Sequence, residues 1–384
     1  MGEKIEIHGS CEDRFLAVKE AFAKNFEIEG DVGASFAATM DGKFVIDIWG
    51  GYADKEKTRP WEEDTIVNVY STTKVMTIIC ALMLVDRGQL DLDAPVAKYW
   101  PEFAQNGKEK ILVRNIFSHT SGLAGWEEKI SVEDLYNWDK VTNLLAAQKP
   151  WWEPGTKSGY HAVTHGYLLG ELVRRITGKS LGTFFKEEVS GPLNADFHIG
   201  FGPENDKRVA DLVPPDKIQE GDLGYGDTDP NSIFNRVFSN PILMPEHTKT
   251  REWRAAEIPA AGGHGNARSV ARIASAIACG GEVDGIKLMK METIKRAMEE
   301  QIYVQDLVLA MPIRFGVGFG LPSKEIPLPS PNTVWWGGAG GSIVMMDLDN
   351  KLSFSYVMNK MKMTTIGDNR TARLIMSLYS GLHK

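Results

Sequence analysis

Strand-forming segments gather at the two ends of this 384-residue chain, and the stretch between them reads as helix and loop. Near the start, Gly33 to Met40 and Lys43 to Gly50 are joined by Asp41-Gly42, a two-residue hairpin signal. Near the end, the pattern predicts strands over Thr333 to Trp336, Ser342 to Asp347 and Leu352 to Met358, with Asp349-Asn350 turning the last pair. Strands this far apart in sequence share a core most simply by meeting in one antiparallel sheet, which implies an α+β fold with an inserted, mainly helical region. Helices are expected from a Ser10 cap to about Asn25, then over Ser71–Arg87, Val113–Ser118, Ser131–Gln148, His165–Thr177, Leu181–Val189, Ala267–Ala278 and Arg370–Leu382. The expected division is 1–70 with 302–384 as the sheet domain and 71–301 as the helical one. A site is expected where they meet.

A net charge of −8, with acidic and basic residues interspersed, gives no basic field for nucleic acid or an anionic membrane. The three cysteines, Cys11, Cys80 and Cys279, are far apart and form no C-x-x-C; Cys80 and Cys279 read as small buried hydrophobes. No apolar stretch resembles a signal peptide or spans a bilayer, and Glu6 stands where a myristoylation motif wants Ser or Thr. The expectation is a cytoplasmic protein without membrane or nucleic-acid partners, for which a homo-oligomer is open.

Ser71-Thr72-Thr73-Lys74 closes the apolar-polar run Ile66 to Tyr70 and opens the apolar stretch Val75 to Val85. Residues three apart share a helix face, so the Ser71 hydroxyl and the Lys74 amine point into the same space. A serine nucleophile needs a base in reach, and burial lowers a lysine enough to serve. The plainer alternative is an N-cap serine with a solvated lysine. Against it, the following helix is apolar nearly all round, and a core is a costly place for an unpaired lysine.

Two later segments complement this one. Trp151 to Ala162 is aromatic and turn-rich, and Tyr160 within it is either a packing tyrosine or a proton carrier beside a cation. Trp335-Trp336-Gly337-Gly338-Ala339-Gly340-Gly341-Ser342 ends a strand in bare backbone, where an N–H can join that of Ser71 as an oxyanion hole; a β-bulge is the alternative. Gly262-Gly263-His264-Gly265-Asn266 fits neither the P-loop nor the dinucleotide fingerprint. HExxH is absent and the histidines are not expected to cluster, so neither metal nor cofactor is expected. Asp222 to Pro245 reads as a long surface loop or a cover over a cleft.

In this order and spacing, Ser71-x-x-Lys74, His119-Thr120-Ser121-Gly122-Leu123, Pro154-Gly155-Thr156 leading to Tyr160, Gly166 to Gly170 with Thr177-Gly178, and Trp336-Gly337-Gly338 resemble the serine β-lactamase and penicillin-binding-protein superfamily. The class C branch and the family VIII carboxylesterases are nearest in pattern. The resemblance implies that Ser71 is the acylated nucleophile, Lys74 its base partner and Tyr160 a proton shuttle. It implies an oxyanion hole of the Ser71 and Ala339 N–H groups and a structural role for His119. No G-x-S-x-G occurs, so the α/β-hydrolase route is disfavoured.

Two departures bear on substrate. Trp336 stands where relatives usually carry a lysine that binds the substrate carboxylate, and Ala162 where class C enzymes carry an asparagine. Both changes favour neutral esters, bound at Trp336, Gly337, Gly338 and Trp152, with Trp126, Trp151 and Trp335 as further candidates for a hydrophobic pocket. The expected function is a serine carboxylesterase for short- to medium-chain acyl esters. The alternatives are a β-lactamase, a D-aminopeptidase or DD-peptidase-type amidase, an acyltransferase, and a non-catalytic scaffold.

Overall fold

The structure, a computed structural model, describes residues 5–216, 222–224 and 227–382. Six strands form one antiparallel sheet: β1 Ile7–Cys11, β2 Gly33–Met40, β3 Lys43–Gly51, β4 Thr333–Gly337, β5 Ile343–Asp347 and β6 Leu352–Met358, in the order β1-β3-β2-β6-β5-β4. The chain ends therefore meet at the β2–β6 pair, where Phe36 lies opposite Tyr356. Asp41 and Gly42 both take positive φ (47° and 78°), the backbone a two-residue hairpin of matching twist requires.

The two sheet faces differ in residue size. On one face Phe36, Phe354, Tyr356 and Met345 pack against α1 Leu16–Ile28 and α5 Asn369–Leu382 through Phe15, Phe22, Leu374 and Leu378. The other face carries Ser35, Ala37, Ser353 and Ser355, whose small side chains let α4 Ala267–Ala278 lie close; Ser353 Oγ donates to Ala271 O at 2.8 Å. The middle of the chain thus supplies a layer of the sheet. Beyond it, α2 Thr73–Asp86 is buried from Thr73 to Leu84, and α3 Thr164–Thr177 packs against it. α3 ends at Gly178, whose φ of 71° is the left-handed C-cap that glycine supplies.

Several sequence expectations need correction. Ser10 is not a helix cap: it pairs with Asp47 in β1, and α1 begins after a short turn at Asp13–Phe15 and runs to Ile28. The helix expected over 131–148 is broken, because Asn137 caps a new helix, Trp138–Ala147, by accepting from the Lys140 N–H. Leu181–Phe185 continues as a wider turn, Lys186–Ser190. Strand is not confined to the ends. Gly263–Gly265 pairs with both Val67–Asn68 and His198–Ile199, so the glycine run is an edge-to-edge bridge. Cys80 is buried as expected, whereas Cys279, at the end of its helix, is partly exposed. Among the described residues no helix is long and apolar enough to cross a membrane.

Candidate active site

Ser71 lies in a tight turn, Tyr70–Thr72, immediately before α2. The turn is sharp because Tyr70 adopts a left-handed φ of 42°, which is costly for a large side chain and is held here by Asn68 Oδ1 accepting the Tyr70 N–H at 3.1 Å. One turn later Lys74 projects back towards Ser71, as the spacing requires. Its Nζ is 3.2 Å from Ser71 Oγ and 2.9 Å from Tyr160 Oη, and Tyr160 Oη is 2.5 Å from Ser71 Oγ. Three groups from three parts of the chain thus form a closed triangle.

Lys74 is 0% exposed. Burial pushes its amine well below the usual lysine range, because a charge is costly in a low-dielectric interior. Its Nζ also donates to two carbonyls, Ala162 O at 2.6 Å and Ala260 O at 3.1 Å. Carbonyls only accept, so a neutral amine spends both hydrogens on them and keeps one lone pair, which can accept from Ser71 while the Tyr160 hydroxyl donates to Ser71 Oγ. Tyr160 moves the opposite way: burial holds its phenol above the usual value, and the nearby Asp306 carboxyl adds to the rise. The phenol is therefore kept protonated, able to donate.

The glycine segment after β4 sits against the Ser71 turn. A β-carbon on Gly338 would stand 2.3 Å from Val69 O and 3.1 Å from Thr72 N, so only glycine allows this approach. Ser342 Oγ locks it by donating to Val69 O at 3.0 Å, with Thr72 Oγ1 at 2.9 Å. Gly338, Gly340 and Gly341 N–H groups are taken by Ser342 O, Thr364 O and Gly338 O. Among the described residues no acceptor takes the N–H of Ala339 or of Ser71. From behind, Arg370 Nη2 donates to Gly340 O at 2.6 Å; this guanidinium is itself paired with Asp31 and Asp368.

Adjacent residues of β4 face opposite ways. Trp335 joins the core under α1 and α5, while Trp336 faces the site, 5.7 Å from the Tyr160 ring and stacked on His119 at 5.6 Å. Gly337 meets Thr365 O, which a β-carbon would approach to 2.5 Å. Trp152 is placed elsewhere: its Nε1 donates to Lys157 O and its ring supports Gly159 and His161, outside the residues lining the cleft. Trp126 and Trp151 are likewise turned away, bonded to Val141 O and Glu127. Beside Tyr160, a narrow gap without room for a water molecule is bounded by Leu309, Trp335, Trp336, Gly337, Thr365 and Ile366. It shares Leu309, Thr365 and Ile366 with a cleft of about 870 Å³, whose apolar wall is Leu307, Met311, Met361, Met363 and Phe234. Asp222, Leu223, Gly224 and Asp227 also border it, so this part of the 222–245 segment is a cleft wall; Tyr225 and Gly226 lie outside the described residues.

The histidines, scattered in sequence, do converge. His119 stacks on His165 at 4.4 Å and lies 5.4 Å from His161, all three fully buried and pushed towards the neutral form by burial. His119 Nδ1 accepts the His161 N–H at 3.1 Å, and His161 bonds Ser121 Oγ and Gly159 O, so the cluster braces the segment carrying Tyr160. Among the described residues no three His, Cys, Asp or Glu side chains are arranged to hold a metal ion. Sequence reasoning missed the carbonyl of Ala260 and the carboxyl of Asp306, which accepts the Tyr160 N–H at 3.0 Å. The only signal for the first was Gly166, whose missing side chain admits Pro259 and Ala260 against α3.

The sequence profile of the Beta-lactamase family matches residues 21–376. The chain belongs to that family. It is 35% identical over 377 residues to the esterase/beta-lactamase LipL of Mycobacterium tuberculosis, covering 92% of this chain and 83% of that protein. Its fold matches a crystal structure described as a family VIII carboxylesterase with a TM-score of 0.92 and 39% identity, over 98% of this chain and all of the other. A penicillin-binding-protein homologue from Caulobacter crescentus matches with a TM-score of 0.92 and 38% identity, again over 98% and 100%. As a member of this family, with esterase and β-lactamase relatives, the chain is an enzyme of the serine hydrolase type. Its antiparallel sheet built from both chain ends is the β-lactamase-like α+β fold.

Proposed function

We propose that this family member is a serine carboxylesterase acting on neutral acyl esters through an acyl-enzyme on Ser71. The observation that carries this reading is the triangle of Ser71 Oγ, Lys74 Nζ and Tyr160 Oη around a fully buried lysine. Ser71 Oγ attacks the ester carbonyl, and its proton passes to the neutral Lys74, directly or across Tyr160. The carbonyl oxygen, now negative, is received by the N–H groups of Ser71 and Ala339. Tyr160 protonates the departing alkoxide and regains a proton from Lys74. Water then attacks the acyl carbon, its proton returns through the same pair, and Ser71 is released with the free acid. Lysine is the base here and tyrosine the carrier, because burial moves the amine down and the phenol up.

A neutral substrate is supported by the surroundings. Trp336 offers apolar area where a cation would bind a carboxylate. Among the described residues, the lysines bordering the cleft are matched already, Lys360 with Asp216 and Lys362 with Glu29, while Arg370 behind the glycine turn pairs with Asp31 and Asp368. The test is hydrolysis of p-nitrophenyl butyrate beside a chromogenic cephalosporin. Fast ester and slow cephalosporin turnover are expected; fast cephalosporin turnover would overturn the neutral-ester reading and favour a β-lactamase.

A further inference from the structure

Asp306 is 1% exposed, and one of its oxygens accepts three backbone N–H groups: Tyr160 at 3.0 Å, Val308 at 2.9 Å and Leu309 at 2.9 Å. A carboxyl buried this deeply is expensive, so its position calls for a purpose. It closes its own loop, with the Asp306 N–H donating to Met311 O and the Ala310 N–H to Asp306 O. It also staples that loop to the Tyr160 segment, and the Leu307 N–H adds a second staple to Ser158 O at 2.9 Å. Leu307, Leu309, Ala310 and Met311 border the cleft, and Leu309 reaches from it to the narrow gap beside Tyr160 and Trp336. One side chain therefore connects the backbone of the proton carrier to the wall of the cleft.

We propose that Asp306 is a positioning residue that sets the Tyr160 hydroxyl against Ser71 and, through Leu307 and Leu309, fixes the acyl-chain length the cleft accepts. The inference rests on the role assigned to Tyr160 above. Accepting N–H groups needs an oxygen rather than a charge, so Asp306→Asn keeps the staple, while Asp306→Ala removes it. Asp306→Glu keeps both oxygens but displaces them by one methylene, and serves if the alanine variant does not fold.

The experiment compares kcat and KM for p-nitrophenyl acetate and p-nitrophenyl octanoate in wild type and these variants, with melting curves as the check of folding. In Asp306→Ala or Asp306→Glu, kcat is expected to fall about 10- to 100-fold on both esters, the scale of a misplacement of about 1 Å. The octanoate-to-acetate ratio of kcat/KM is expected to shift at least threefold, and Asp306→Asn to stay within about threefold of wild type in kcat. A simple loss of stability would lower active enzyme without moving that ratio or KM. Wild-type kcat and ratio in a folded alanine or glutamate variant would overturn the inference, as would an asparagine variant as impaired as alanine. Tyr160→Phe run alongside separates the two levels: full activity there removes the role of Tyr160, whereas low activity there with a normal Asp306→Ala removes only that of Asp306.

Discussion

Gly166 lies so close to Ala260 that a β-carbon on it would stand 2.4 Å from the Ala260 nitrogen and 2.5 Å from the Pro259 carbonyl carbon. This bare position on α3 lets the Pro259-Ala260 backbone reach α2, where Ala260 O accepts from Lys74 and Pro259 O from Thr77 Oγ1 at 2.6 Å. Replacing glycine by alanine within a helix ordinarily stabilises by about 1 kcal/mol. Here the obstructing atoms are backbone and cannot swing aside, so the overpacking cost of about 1–3 kcal/mol wins. Gly166→Ala is expected to lower the melting temperature and to reduce kcat about tenfold or more by shifting Ala260 from Lys74. Calorimetry and ester kinetics on the one variant check both.

The buried state of Lys74 makes a signed prediction about pH. Its amine titrates lower in the folded protein than in the unfolded chain, where the ordinary value is about 10.4. Between the two values the unfolded chain binds the extra proton, so folding stability rises with pH in that window. Below the folded value the cost of burying the amine is fully present; above about 10.4 it is gone. Wild type should therefore gain stability relative to Lys74→Met as pH rises towards that limit, measured by urea unfolding at several pH values. The acid limb of kcat/KM should also fall below the usual lysine range, because the proposed mechanism works with the neutral amine.

Tyr160 is expected to matter for rate far more than for stability. Removing its hydroxyl takes away one neutral hydrogen-bond donor, worth about 1 kcal/mol net. In the proposed mechanism the same change removes the proton path to the leaving group, and general acid–base steps contribute about 10²–10⁴-fold. Tyr160→Phe should thus lose kcat on that scale with a melting curve close to wild type.

The sheet and the meeting of Ser71 with Lys74 were legible because their signals are local. Asp41-Gly42 can make only a tight hairpin, and a serine three residues before a lysine on an apolar helix puts both groups in one place. Tyr160 became legible only in combination with the other motifs. What stayed hidden depends on contacts distant in sequence or on backbone atoms. Asp306 is 146 residues from Tyr160, and Ala260 acts through a carbonyl that any residue type would offer. β1 was missed because Ser10 near an apolar run imitates a helix cap, while its ladder with β3 fixes it as strand. The strands Val67–Asn68 and His198–Ile199 are two residues long, too short to show any period. Of the five candidate tryptophans, Trp335 and Trp336 border the gap beside Tyr160, while Trp126, Trp151 and Trp152 bond their N–H groups to Val141 O, Glu127 and Lys157 O.

Behind the glycine turn, Arg370 and Asp31 are both 0% exposed and 2.8 Å apart. Breaking a buried pair by removing one partner costs about 3–5 kcal/mol, since the other charge is left uncompensated. Arg370→Met should lower stability by about that amount and also reduce activity, because Gly340 O loses its donor next to Ala339. Adding Asp31→Asn should recover part of the stability without restoring the rate. Denaturation midpoints and kcat for the two single variants and the double variant test this coupling.

The nucleophile is tested most directly by trapping the acyl-enzyme. Wild type and Ser71→Ala would be mixed with p-nitrophenyl butyrate, quenched in acid within the first turnover and digested for peptide mass mapping. A butyryl mass on the peptide containing Ser71, absent from Ser71→Ala together with its ester turnover, is the expected result. A butyryl mass on any other residue, or ester turnover unchanged in Ser71→Ala, would contradict the assignment of Ser71 as the acylated group.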